Sequence, residues 1–309
     1  MKKNFLITVD TEGDNLWNWV MGKPITTNNS QYIPAFQDLC EKYGFKPVYL
    51  INYEMAHDDF LVNYLSKKSA ENLCEIGMHL HAWNTPPQYD LPNIYNGNPY
   101  ITEYPADVIE QKVATMKSLL SEKFESEIVS HRSGRWATNE DYFKALKKHG
   151  IKIDCSVTPQ VDLSSIPGCS AKGANDYRHY KTTPYEIYPG ILEVPMTTRC
   201  IHTLGTGSLK HKMRNLILGE QMWLRPIKKS FDYLTRLSQK VIAEPNNDYL
   251  EFMIHSSELM PNGSVYFKTQ SEVDALFELM DKYFNYVSNQ GYTGATLAEY
   301  VNTSFKGEK

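Results

Sequence analysis

The sequence lacks any Cys-x-x-Cys pair; its five cysteines, Cys40, Cys74, Cys155, Cys169 and Cys200, are scattered and odd in number. That argues against a thiolate zinc site and against a disulfide framework, and it points to thiols kept reduced. Long hydrophobic runs are also missing. None approaches the roughly 20 residues needed to cross a bilayer. The apolar stretch 5–9, behind Lys2-Lys3, stops at Asp10, short of a signal-peptide core, so a cytoplasmic location is expected. Excess charge is lacking too: the formal net charge is -4, and basic runs do not exceed the pairs 67–68, 147–148 and 228–229. No field draws in a polyanion, and no nucleic-acid partner is expected. Internal repeats and low-complexity tracts are absent, so 1–309 reads as a single domain.

What is present is ample material for a core: 41% hydrophobic and 12% aromatic residues, which excludes a disordered chain. Short apolar, β-branched runs recur at 4–9, 47–52, 74–80, 127–131, 151–157, 191–197, 249–254 and 294–297. Amphipathic stretches lie between them. The clearest is 271–290, where Val273, Leu276, Phe277, Met280, Phe284 and Val287 share a stripe and Gly291 is the stop. Others cover 105–124 and 139–149, the latter opened by an Asn139 cap and closed by Gly150. Strands alternating with helices predict an α/β chain with parallel strands and crossover helices, a barrel in particular. The stretches 82–105 and 158–190 break the rhythm as long loops, which in compact domains are functional or flexible.

In such a barrel the chemistry gathers at the carboxyl ends of the strands, so polar residues that end apolar runs are the ones to collect. Four ends qualify: Asp10-Thr11-Glu12-Gly13-Asp14, His79-Leu80-His81, His131-Arg132-Ser133-Gly134-Arg135-Trp136, and His255-Ser256-Ser257-Glu258. Residues two apart on a strand share a face, so His79 and His81 can address one ion, as can Asp10 and Glu12. Two imidazoles and one carboxylate form a common catalytic zinc set that leaves a position open for water. Asp14 competes with Glu12 for the acidic place, or serves as a turn residue after Gly13. Bland roles stand beside these: Asp10 and Glu12 as caps of the following turn, Arg132 in an interior ion pair, His255 as a hydrogen-bonded core histidine, Glu258 as a loop residue. Trp83 and Trp136 either stack on a sugar ring or pack in the wall. Gly205-Thr206-Gly207-Ser208 lacks the glycine-lysine spacing of a phosphate loop and reads as a flexible turn.

In order and content these motifs resemble the polysaccharide deacetylase family, which is carbohydrate esterase family 4-like with a NodB-like (glycoside hydrolase/deacetylase) barrel. The resemblance is to its cytoplasmic branch concerned with cell-surface polysaccharide. Thr8-Val9-Asp10-Thr11-Glu12 is similar to the variant of the first motif whose two acids are one residue apart; this implies Asp10 as general base and Glu12 as metal ligand. His79 and His81 stand where the family has its metal-binding pair, here spaced by one residue instead of three. Arg132 falls where the family has an arginine that orients the base, without the usual prolines after it. Arg135 is a candidate for the same role or for substrate contact. Phe252-Met253-Ile254-His255 resembles the last motif, which implies that His255 protonates the leaving group. The match runs from residue 8 to about 259. It implies a distorted (β/α) barrel with about seven parallel strands, a divalent metal, zinc by its ligand set, and removal of an acyl group, N-acetyl foremost, from a carbohydrate or amino sugar. Two other readings fit the residues: a different metal-dependent barrel hydrolase, such as an amidohydrolase or phosphoesterase, and a carbohydrate-binding protein that keeps the fold without turnover.

Overall fold

The computed structural model describes residues 2–16, 23–170, 173–202, 208–209, 213, 215–216 and 219–304. Of the glycine-rich turn, Gly205, Thr206 and Gly207 lie outside them. The strands are β1 (Lys3–Thr11), β2 (Pro47–Ile51), β3 (Glu75–Leu80), β4 (Ser130–Ser133), β5 (Ile153–Asp154), β6 (Tyr185–Tyr188), β7 (Ile191–Glu193), β8 (Thr198–Ile201), β9 (Glu220–Trp223), β10 (Tyr249–His255) and β11 (Tyr292–Gly294). The helices are α1 (Ile33–Lys42), α2 (Asp59–Ala70), α3 (Ala106–Phe124), α4 (Glu140–Lys148), α5 (Phe231–Ile242), α6 (Gln270–Asn289) and α7 (Leu297–Ser304).

Strand order in the main sheet is β10-β1-β2-β3-β4-β5-β7-β6, with β11 beside the start of β1. Every pairing is parallel except β6 with β7. The sheet curls into a distorted (β/α) barrel. Between β7 and β10 the wall is completed by the chain after the β8-β9 ribbon: Leu224 N donates to Thr197 O (3.0 Å), and Met253 N donates to Leu224 O (3.1 Å).

Alternation divides each strand between two environments. On β1, Phe5, Ile7 and Val9 join the large core beneath the helices, whereas Leu6 joins a smaller core inside the barrel with Val48, Leu50, Ile153, Tyr249, Leu297 and Tyr300. The last two come from α7, which stoppers the amino-terminal mouth. Farther along the strands the inward positions turn polar. Thr8, Asp10, His79, Arg132, Glu251 and His255 are all buried, and their cost is offset only by mutual pairing.

The helices begin and end where local chemistry demands. α6 starts at a capping box, Thr269 accepting from Glu272 N while Glu272 accepts from Thr269 N (3.2 Å). α4 starts behind Asn139, whose side chain accepts from Tyr142 N (2.9 Å). At the carboxyl terminus the expected strand 294–297 shifts: the strand is β11, ending at Gly294, and Leu297 opens α7. The expected strand at 127–131 likewise begins later, at Ser130.

Candidate metal centre

Glu12, His79 and His81 stand at the carboxyl ends of β1 and β3, and their ligand atoms lie within 4.8 Å of one another. Glu12 Oε2 is 3.2 Å from His81 Nε2 and 3.6 Å from His79 Nε2, and the two Nε2 atoms are 3.0 Å apart. All three residues are buried. His79 Nδ1 lies 3.0 Å from Arg132 O, so it carries the hydrogen and leaves the Nε2 lone pair facing the other two ligands. His81 stacks on Trp83, ring centroids 4.4 Å apart. Its other edge lies against Gly134, where a Cβ would fall 2.4 Å from His81 Cδ2. Any larger residue there would push the imidazole out of place.

Two ring nitrogens that face each other at this distance repel unless a proton or a cation lies between them. The donor set, two imidazoles and a carboxylate, is the one that binds divalent metals of the zinc type. Charge supports the same fit. Burial by itself raises the Glu12 pKa, but His255, His79 and His81 overcome it and hold the carboxyl well below its ordinary value. Burial lowers His79, yet Asp10 and Glu12 more than offset it and raise its pKa. Asp14 is not drawn in: it accepts from Asn28 N (2.8 Å) and Thr26 Oγ1 (3.0 Å), a turn residue's bonds.

Asp10 stands beside this cluster, gripped from below by Arg132, whose Nη1 donates to Asp10 Oδ1 (2.7 Å). Burial again opposes ionisation, and Arg132, His79 and His255 together keep Asp10 below its ordinary pKa. Arg132 is wholly buried and spends its remaining donors on Cys155 O (3.0 Å), Thr8 Oγ1 (3.0 Å) and Glu251 Oε1. Arg135 does not share this task. Its guanidinium donates to Asn98 O and Pro167 O and lies over the Tyr100 ring, 4.0 Å from the centroid, so it ties the two long loops together. Both Arg135 and Trp136 adopt left-handed backbone, φ 57° and 56°, an arrangement rare for non-glycine residues.

His255 closes the ring from β10. Its Nε2 is 3.8 Å from Asp10 Oδ2 and 3.8 Å from Glu12 Oε1. Its Nδ1 lies 2.8 Å from Arg225 Nη2 and 3.2 Å from Glu258 Oε1, and Arg225 Nη2 donates to Glu258 Oε1 (3.0 Å). Glu258 also accepts from His255 N (3.1 Å). Of the residues singled out from the sequence, Asp10, Glu12, His79, His81, Trp83, Arg135, Trp136 and His255 line one cavity of about 380 Å³, with Leu16, Asn98, Arg225 and Tyr266 completing its wall, while Asp14, Arg132 and Glu258 stand outside that lining. The inventory of strand ends missed Arg225 because it follows the short β9, which presents no apolar run. It missed Glu251 because an acid inside the run 249–254 does not end it; the signal was its spacing of four from His255, which puts both on the inward face.

No protein-family model matches the sequence, and no curated protein matches it. Among solved structures, a 4-alpha-glucanotransferase from Thermococcus litoralis aligns over 99% of this chain and 41% of its own, with a TM-score of 0.57 and 14% identity. A family 4 acetyl xylan esterase from Clostridium thermocellum, solved with a cobalt ion, aligns over 97% of this chain and 91% of its own, with a TM-score of 0.46 and 11% identity. A pseudoenzyme of the same esterase family from Bacillus anthracis aligns over 96% and 65%, with a TM-score of 0.48 and 10% identity. At such identities the likeness to the glucanotransferase is one of fold, and the chain spans less than half of that enzyme.

Proposed function

We propose that the protein is a metal-dependent hydrolase that removes an acyl group, N-acetyl foremost, from a carbohydrate or amino sugar. The observation that carries this reading is the meeting of the Glu12-His79-His81 cluster and the Arg132-held Asp10 in one cavity. Glu12, His79 and His81 would hold the ion, zinc by its donor set. Bound there, the ion would supply Lewis-acid polarisation of the acyl carbonyl and lower the pKa of a bound water.

The remaining steps belong to the chain. Arg132 occupies Asp10 Oδ1, which leaves Oδ2 to accept a proton from the attacking water. As the water oxygen bonds the acyl carbon and the carbon–nitrogen bond breaks, His255 Nε2 delivers a proton to the departing nitrogen. In the protonated ring that serves as acid, His255 Nδ1 donates to Glu258 Oε1 (3.2 Å), which Arg225 braces, so that Nε2 stays turned toward Asp10. Trp83 and Trp136 supply flat walls for a sugar ring. We place the protein in the cytoplasm, where thiols such as those of Cys40, Cys74 and Cys155, buried in its core, stay reduced.

The glucanotransferase likeness raises glycosyl transfer as a second reading. That chemistry uses a pair of carboxyls, one of which must hold a proton to give to the leaving oxygen. Here Asp10 and Glu12 are both held below their ordinary pKa, each beside histidine, which favours hydrolysis at a metal. The test is acetate release from N-acetylated amino sugars by protein of measured zinc content. Asp10→Asn should retain the metal and lose about 10²–10⁴-fold in rate. Full activity in that variant rules out Asp10 as the base, and activity that survives metal removal ends the metal-dependent reading.

A further inference from the structure

Two of the three metal ligands stand beyond the ladder that orders the barrel. β1 ends at Thr11 and β3 at Leu80, so Glu12 and His81 are carried by the turns that follow, whereas His79 lies within β3. The two imidazoles are also held differently. His79 Nδ1 bonds Arg132 O, but His81 Nδ1 is buried with no partner among the described residues. A ligating histidine is ordinarily fixed by a hydrogen bond at its other nitrogen. Without one, the aim of His81 depends on the turn behind it, which carries the stacked Trp83 and is closed by Thr85 N donating to His81 O (3.3 Å).

That turn and the turn after Glu12 meet at one side chain. Glu54, from the loop that follows β2, accepts from Gly13 N through Oε1 (2.9 Å) and from the Asn84 amide through Oε2. β2 lies between β1 and β3, so a residue just past its end can reach to both sides. The groups it reaches adjoin the ligands: Gly13 follows Glu12, and Asn84 follows Trp83. The carboxylate is itself set in place. Asn52 Nδ2 donates to its Oε1, and His57 N donates to Glu54 O (3.1 Å) as a short 3-10 turn opens at Met55. The approach is close, since a Cβ on Gly13 would fall 2.2 Å from Ile25 Cγ2 and 3.2 Å from Glu54 Oε1. Burial raises the Glu54 pKa, and the charge that most opposes the rise is that of His81. Glu54 does not line the cavity of the metal centre.

We propose that Glu54 is a positioning residue of the metal centre, tying the Glu12 turn to the His81 turn and so setting the separation of these two ligands before the ion arrives. The role rests on the metal-dependent reading above. Ligands fixed in advance give up little freedom on binding, and loss of such an outer bond lowers metal affinity about 10–100-fold.

The test is the zinc affinity of the full chain, measured by competition with a chromophoric chelator. The visible spectrum of the cobalt-loaded protein is a second readout, of ligand geometry. Glu54→Ala should bind zinc about tenfold or more weakly than wild type and shift the cobalt bands. Glu54→Gln should hold wild-type affinity and bands, because its Oε1 can accept from Gly13 N and its amide can donate to Asn84 Oδ1, which has no partner among the described residues. Asn84→Ala cuts one arm of the tie and leaves the Gly13 amide bonded. It should lose part of the affinity, and the double variant Glu54→Ala/Asn84→Ala should lose no more than Glu54→Ala alone. Unchanged zinc affinity in Asn84→Ala overturns the proposal even where Glu54→Ala does not fold, and so do losses that add in the double variant. An equal loss in Glu54→Gln and Glu54→Ala overturns it as well, since charge and not the tie would then matter. A wild type that binds zinc and releases no acetate removes the deacylase and leaves Glu54 its role, whereas a wild type that binds no zinc removes both.

Discussion

Adjacent residues of one strand, His131 and Arg132, head two buried charge networks on opposite faces of β4. The outer network lies away from the cavity. His131 Nδ1 bonds Asp154 Oδ1 (2.8 Å), its Nε2 bonds Tyr142 OH (2.6 Å), and Ser156 Oγ donates to the same Asp154 oxygen (2.7 Å). All four residues are buried, and none lines the cavity of the metal centre. The inner network has similar ingredients, yet it ends in atoms with work left to do: His79 commits one nitrogen to a backbone carbonyl and turns the other toward Glu12, and Asp10 gives only one oxygen to Arg132. Residue type does not distinguish the two. Position on the strand does, because one residue's shift exchanges the cavity face for the helix face.

The largest effect expected from breaking this contrast is that of Arg132→Leu. It leaves Asp10 and Glu251 buried without their cation, which costs about 3–5 kcal/mol, a large share of the 5–15 kcal/mol available to a typical domain. Urea unfolding measures it. His131→Gln should cost less, about 1–3 kcal/mol for one lost hydrogen bond and a partly unsatisfied Asp154. It should leave the rate of acyl release essentially unchanged, since the outer network touches nothing in the cavity. A His131→Gln protein that folds normally but loses activity as His79→Ala does would erase the distinction between the faces.

Much of this arrangement was readable in the residue pattern. Alternation alone puts Asp10 with Glu12 and His79 with His81, and the structure brings these four together; the stripe from Val273 to Val287 became α6, and Asn139 became a cap. What was not readable depended on tertiary placement. Whether Arg132 or Arg135 reaches Asp10 is decided by the turn at Gly134, beyond which the left-handed backbone sends Arg135 to the loop carbonyls of Asn98 and Pro167. Arg225 comes to His255 from a segment that completes the barrel wall, a closure that no local period encodes. The rim formed by the two long loops had no sequence signature beyond their length.

The smallest predicted effect concerns Glu251, which sharpens the comparison from within the inner network. Its Oε1 accepts from Thr8 Oγ1 (2.8 Å) and from Arg132, whereas Oε2 is buried with no partner among the described residues. Burial raises its pKa from 4.5 to about 7, with Arg132 and Thr8 opposing the rise. Between those two values the folded chain binds this proton and the unfolded chain does not, so stability falls as pH rises through the window. Glu251→Gln preserves an acceptor for Thr8 and Arg132 and removes the titration. It should flatten the profile between about pH 4.5 and 7, with the gain over wild type growing toward the alkaline end. On the outer face, burial and Asp154 also push Glu193 well above its ordinary value, which gives a slope of the same sign. The difference between variant and wild type, rather than the wild-type curve, therefore isolates Glu251. Parallel unfolding profiles for the two proteins across the window would mean that Arg132 keeps Glu251 ionised throughout, with two carboxylates sharing one guanidinium beneath the cavity.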